Sequence, residues 1–199
     1  MGILHCTAIA LLAICSHSLL DSIQGLISYN LSTSCLDILV SHDGGTLACS
    51  YYSLKTIEIY LNTGVGFGLD QTIQLSVYPH NIGMSKDAAR IYVTGDIKFL
   101  ILEKALNSTY TAISEVSYPS HPLFSDISED ETMLATTNSD GRVRIFKQNG
   151  ATYSLFQTIN EAFTCKGVAL SQDKNLLFLG ASDLTLRVYR NDGSSFVPN

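Results

Sequence analysis

Short apolar stretches recur along this chain at a nearly constant interval, and each is followed by the same polar punctuation. A Ser-x-Asp triplet returns four times, as Ser41-His42-Asp43, Ser85-Lys86-Asp87, Ser128-Glu129-Asp130 and Ser171-Gln172-Asp173, with steps of 44, 43 and 43 between the serines. Before each serine lies a short apolar or small stretch: Ile38-Leu39-Val40, Ile82-Gly83-Met84, 124–127 and Val168-Ala169-Leu170. After it, apolar residues alternate at Leu47/Cys49, Ile91/Val93, Leu134/Thr136 and Leu177/Leu179, the period of a strand. Turn residues follow, clearest at Asn138-Ser139-Asp140-Gly141 and Ala181-Ser182-Asp183. A third strand is predicted at Ile57-Glu58-Ile59-Tyr60, Phe99-Leu100-Ile101-Leu102, Val143-Arg144-Ile145-Phe146 and Leu186-Arg187-Val188-Tyr189. Its charged residue, set between two branched apolar ones, is expected to face away from the core. A fourth strand is marked by Phe67, Tyr110, Tyr153 and Phe196, with Ile73, Val116 and Ile159 six residues on in the first three copies. The strings Asp70-Gln71-Thr72-Ile73 and Phe156-Gln157-Thr158-Ile159 are close in wording.

Four short antiparallel strands in each repeat define an all-β chain of β-propeller blades, near 33–75, 76–118, 119–161 and 162–199. The helical repeats of similar length need a 3.6-residue period that is absent. A single blade cannot bury both of its apolar faces, and stacking does this. The segments 124–130 and 140–146 resemble the core of a WD-type repeat, and 82–94, ending Ile91-Tyr92-Val93-Thr94, is similar to the YVTN-type propellers. The resemblance covers residues 24–199. It departs from the WD pattern at both ends: the opening Gly-His is missing, and Tyr60, Phe146 and Tyr189 stand where Trp-Asp would close the unit. Residues 24–32 lie where the outer strand of a preceding blade would fall. Two arrangements are open: a ring of four in which 27–31 pairs beside Leu186–Tyr189, or, as favoured here, an arc belonging to a larger propeller. Either way, open sheet edges are expected to need cover.

The first residues break the pattern. Met1–Leu20 carries no charged side chain and contains the apolar run Ala8–Cys15. Residues 1–23 are therefore an apolar leader outside the blade register, read either as a secretory signal or as a buried segment. It is too short for a stable membrane span, and it lacks the leading Lys or Arg of a signal. Localisation follows it: cytoplasmic, or secreted if residues 1–20 act as a signal. Asn30-Leu31-Ser32 and Asn107-Ser108-Thr109 are glycosylation triplets. Cys6, Cys15, Cys35, Cys49 and Cys165 form neither a disulfide framework nor a zinc pattern, and are expected to be buried free thiols. A net charge of −6 in 199 residues argues against a nucleic-acid partner, since binding a phosphate backbone needs a basic face.

Catalytic signatures are absent: no GxSxG, HExxH or Walker A string occurs. Gly64-Val65-Gly66-Phe67-Gly68 sits between strands and reads as a flexible loop, not a dinucleotide site. Metal and cofactor sites in propellers lie at inner-strand ends, where Asp37, His80, Asn81, His121 and Asp126 are the candidates. No ring of equivalent carboxylates results, so neither metal nor cofactor is expected. Cys35 and Cys165, each six residues before its serine, share a structural position. Asp140, Arg142, Asp183 and Arg187 read as solvated turn and strand residues. The expected function is therefore a non-catalytic protein-interaction scaffold, with no catalytic residues and with an unspecified protein partner. The alternative is a secreted lactonase- or YVTN-like propeller enzyme or ligand-binding protein.

Overall fold

The computed structural model describes residues 34–106, 108–150 and 152–199, and every regular element among them is a strand. The expectations for Cys6, Cys15, the leader, the 27–31 pairing strand and the Asn30 and Asn107 side chains lie outside the described residues. Blade 1 comprises β1 (Asp37–Val40), β2 (Thr46–Tyr51), β3 (Thr56–Asn62) and β4 (Phe67–Gln74). Blade 2 comprises β5 (Pro79–Met84), β6 (Arg90–Gly95), β7 (Lys98–Lys104) and β8 (Tyr110–Ser117). Blade 3 comprises β9 (Pro122–Ile127), β10 (Met133–Asn138), β11 (Arg142–Asn149) and β12 (Thr152–Asn160). Blade 4 comprises β13 (Cys165–Leu170), β14 (Leu176–Ala181), β15 (Leu186–Asn191) and the three-residue β16 (Phe196–Pro198). Each blade is one antiparallel sheet in sequence order. The first strands touch in succession, β1 on β5, β5 on β9 and β9 on β13, so they form the inner edge of a radial stack. The chain folds as β-propeller blades.

The Ser-x-Asp triplet builds the hairpin between the first two strands of every blade. The serine hydroxyl donates to the aspartate two residues on, at 2.5, 2.7, 2.8 and 2.6 Å in blades 1 to 4. The same hydroxyl oxygen accepts the backbone N–H five residues on, at 2.8 to 2.9 Å. The aspartate also accepts the N–H of Gly45, Ala89, Thr132 or Asn175. These bonds hold the carboxyls of Asp43 and Asp173 below the usual range, the serine hydroxyl being the main cause; for Asp87 the Ala89 N–H comes first. The third residue after each serine is left-handed: Gly44, Ala88, Glu131 and Lys174 have φ between +55° and +70°. That conformation costs roughly 1–2 kcal/mol for a residue other than glycine, and the closed hydrogen-bond net offsets it. Its carbonyl is capped by Tyr110 Oη in blade 2 and Tyr153 Oη in blade 3. Blades 1 and 4 have Phe67 and Phe196 at that place, and there Asn62 and Asn191 donate to the carbonyl instead.

Three apolar clusters fill the gaps between blades. Ala48, Ile57 and Ile59 pack on Ile91, Val93, Leu100 and Leu102. Tyr92, Phe99 and Ile101 pack on Leu134 and Phe146. Met133, Ala135, Val143 and Ile145 pack on Leu177 and Leu179. A clasp joins outer strands at two of these interfaces. Gln71 donates to Tyr110 O at 3.0 Å and accepts its N–H at 2.8 Å, and Gln157 does the same with Phe196 at 2.9 and 2.7 Å.

Two sequence expectations are corrected. In blades 3 and 4 the third-strand charge does not face solvent, because the preceding blade covers that face of the sheet. Arg144 is 4% exposed, and its guanidinium donates to Asp140 at 2.6 Å and to Ser120 Oγ at 3.1 Å. Arg187 occupies the same place in blade 4 and pairs with Glu161 and, at 2.8 Å, with Asp183. Of the four residues read as solvated, Asp140 and Arg142 are exposed, whereas Asp183 and Arg187 are half-buried. The glycine-rich stretch 64–68 is a tight hairpin closed by Thr63 N–H to Gly66 O at 2.7 Å, and Phe67 and Gly68 already belong to β4.

Candidate functional site

Four equivalent hairpins brought to one end of the inner strands place their middle residues side by side. His42, Lys86, Glu129 and Gln172, the x of each Ser-x-Asp, line one open cavity of about 400 Å³. Val40, Met84 and Ile127, at the ends of β1, β5 and β9, give it an apolar floor, and Glu131 adds a second carboxylate. The flanking serine and aspartate side chains are consumed by the turns, so the middle side chains are free to project. Lys86 Nζ lies 2.9 Å from Glu129 Oε1, which holds the lysine's pKa above its ordinary value. Glu131 is paired with Arg90 at 2.6 Å, and Arg90 also reaches Glu103 at 2.9 Å. The cavity wall thus offers one cation, two carboxylates, an imidazole and an amide above aliphatic side chains.

The inner-strand candidates expected from the sequence are structural caps rather than a ring of ligands. Inner strands have a free edge whose N–H groups need acceptors. Asp37 Oδ2 accepts Ile82 N–H and Asn81 Nδ2, both at 2.8 Å. Asn81 Oδ1 in turn accepts Ser125 Oγ at 3.1 Å and Ser125 N–H at 3.3 Å, and Ser125 shares a hydroxyl bond with Thr94. Asp126 Oδ2 accepts Leu170 N–H at 2.7 Å; burial still pushes this carboxyl above its usual range. Each bond runs from one blade to the next.

His80 sits elsewhere, near the start of β5 and away from the hairpins. Its ring lies 5.2 Å from that of Tyr52, which lies 4.9 Å from Tyr78, and Lys55 Nζ stands 4.1 Å over the Tyr78 ring. Burial depresses the His80 pKa; Asp96 acts against this and nearby His121 with it. Among the described residues no three His, Cys, Asp or Glu side chains converge as a metal site, and no helix is long and apolar enough to cross a membrane.

The four cavity residues escaped the sequence reading because they differ in every copy. The signal available was their position, fixed between two repeated residues.

These blades and this axial cavity define a β-propeller, and solved propellers match the chain. No protein-family model matches it, and no curated protein does. A protein of Bacteroides uniformis, provisionally named a 6-phosphogluconolactonase, is 12% identical with a TM-score of 0.71, over 81% of this chain and 52% of that one. A protein of Bacteroides fragilis with the same provisional name is 14% identical at TM-score 0.69, over 82% and 53%. A functionally unknown protein of Desulfotomaculum acetoxidans is 19% identical at TM-score 0.67, over 82% and 56%. The chain spans about half the length of the structures it matches.

These neighbours correct two expectations. The propeller is supported, but the WD type is not singled out. The scaffold reading is corrected as well: the two neighbours whose names state an activity are provisionally named 6-phosphogluconolactonases, which agrees with the alternative reading and not with a scaffold. The hairpin end carries an open cavity with polar side chains over an aliphatic floor.

Proposed function

We propose that this chain is a lactonase-like propeller that takes a small sugar acid or its lactone, phosphorylated on a terminal carbon, in the axial cavity. The convergence of His42, Lys86, Glu129 and Gln172 over Val40, Met84 and Ile127 carries this reading. A sugar ring has an apolar C–H face and a polar rim, and this cavity has an apolar floor and a polar wall. A few placed polar groups on a largely aliphatic surface are what fixes such a ligand. Lys86 is the seat for the anionic group and exchanges its contact with Glu129 for the phosphate oxygens. Hydrolysis of a lactone needs a base for the attacking water and a proton for the departing ring oxygen. The carboxylate of Glu129, released from Lys86, accepts the water proton, and His42 is the proton donor at the same wall. On the finer assignment, the missing Gly-His and Trp-Asp and the closure of each hairpin around a serine–aspartate pair without histidine or tryptophan favour the lactonase side over the WD type.

The test is calorimetric titration with gluconate 6-phosphate, joined to an assay of 6-phosphogluconolactone opening. Binding is expected, with Lys86→Ala weakening it about tenfold or more, the loss of a charge-assisted hydrogen bond. Lactone opening is expected to fall in Glu129→Gln. No heat at millimolar ligand, or equal affinity in Lys86→Ala, contradicts the proposal.

A further inference from the structure

Cys35 and Cys165 occupy the same place in the repeat but meet different neighbours. Cys165 pairs across to Ala181 and is buried with Leu177 and Leu179. In blade 1 the matching face holds Leu47, Cys49 and Tyr51, and Cys35 packs on it. Cys49 stands eight residues after Ser41, as Leu179 stands eight after Ser171. Blades 2 and 3 have Val93 and Thr136 there. The backbone fixes the approach: Leu36 N–H donates to Ser50 O at 2.9 Å, and Ile38 pairs with Cys49. Cys35 is half-buried and Cys49 is buried within this one cluster.

The environments set their reactivity apart. Contact with the Cys49 thiol lowers the Cys35 pKa, helped by the backbone of Ser50 and Asp37 against burial. The Cys35 thiol donates to Asp37 O at 2.9 Å, a bond that is given up when the thiolate forms. Burial pushes the Cys165 thiol up. A partly exposed thiol with enhanced thiolate character beside a second thiol is the arrangement of an attacking and a resolving cysteine.

We propose that Cys35 and Cys49 are a redox modification site that a peroxide converts to an intramolecular disulfide. The Cys35 thiolate attacks one peroxide oxygen and the O–O bond breaks. The departing oxygen leaves as water or an alcohol, and Cys35 becomes a sulfenic acid. The Cys49 sulfur then attacks the Cys35 sulfur; the S–S bond forms, the S–O bond breaks, and hydroxide leaves with the Cys49 proton as water. Two thiols lose two electrons and one peroxide is reduced. The bond ties the segment leading into β1 to the middle of β2, two residues before Asp37, the cap on Asn81 and Ile82.

The experiment is peptide mapping of the full chain after hydrogen peroxide, alkylated without reduction. A Cys35–Cys49 linked peptide is expected while Cys165 stays a free thiol. On untreated native protein, iodoacetamide is expected to label Cys35 at least about tenfold faster than Cys165. In Cys49→Ser a sulfenic acid should persist at Cys35, trapped by dimedone. Equal labelling of Cys35 and Cys165, or oxidised Cys35 linked to Cys6, Cys15 or a second molecule instead of Cys49, overturns the proposal. The labelling comparison uses the unmutated protein and so survives any folding defect in the variant.

Discussion

The first and second blades meet over an almost wholly aliphatic surface, whereas the second and third meet over aromatic rings and a buried charge. Leu100 and Arg144 occupy one repeat position, the second residue of the apolar–x–apolar third strand, and both face the preceding blade. Leu100 is 3% exposed among Ala48, Ile57 and Ile59. Arg144 is 4% exposed and is satisfied by Asp140 and Ser120. Around it Phe99 meets Tyr153 edge-on at 6.1 Å, and Tyr118 meets Phe146 at 5.6 Å. The outer strands differ too: Gln71 clasps Tyr110 across the first interface, while Ser114 stands at the matching place in blade 2. The repeat therefore fixes the shape of a slot between blades and leaves its chemistry open, provided every polar group placed there finds a partner.

Breaking the charged solution should have the largest effect. Asp140→Ala strands a buried guanidinium and should cost about 3–5 kcal/mol in urea unfolding; a loss below about 1 kcal/mol would mean that Arg144 is solvated after all. Gln71→Ala leaves the Tyr110 N–H and carbonyl without their clasp and should cost about 1–3 kcal/mol, read by the same unfolding experiment. Gly95→Ala tests the tightness of the first interface. A Cβ there would stand 2.4 Å from Val77 Cγ2 and 3.1 Å from Lys98 O, so overpacking of about 1–3 kcal/mol is expected. Converting the second interface toward the first, with Arg144→Leu and Asp140→Asn together, should change stability by no more than about 1 kcal/mol, since a well-packed apolar replacement of a buried pair is often neutral.

The smallest effect is one of pH. The Arg144 guanidinium holds the Asp140 carboxyl down at about 2, against burial and with help from the Arg142 N–H, Arg144's charge and Ser120. A depressed carboxyl contributes stability above its unfolded pKa of about 4, and loses it as pH falls toward 2. Wild type should therefore lose thermal stability between pH 4 and 2 more steeply than Asp140→Asn; parallel curves would remove this carboxylate from the account.

The blades were legible because their constraints repeat. The serine and the aspartate make the same bonds in every copy, and the outer-strand aromatic and the third-strand alternation keep the same positions. The string shared by 70–73 and 156–159 was visible too, but its purpose needed Tyr110 and Phe196, 39 residues away from each glutamine. The burial of Arg144 was not legible, because alternation in an isolated strand suggests a wet face that stacked blades do not have. The candidate site was hidden for a further reason. A search for repeats discards what varies, and His42, Lys86, Glu129 and Gln172 are the varying residues of an otherwise constant turn. Asp37, Asn81 and Asp126 attracted attention as carboxylate and amide ligands, yet their partners are edge N–H groups of the next blade.

The claim that the hairpin end holds the ligand is tested most directly by amide NMR of the isotopically labelled chain during titration with gluconate 6-phosphate. The account predicts saturable shifts at His42, Lys86, Glu129 and Gln172, with Tyr52, Tyr78 and His80 unmoved. Shifts confined to Tyr52, Tyr78 and His80, or none at any hairpin, would contradict it.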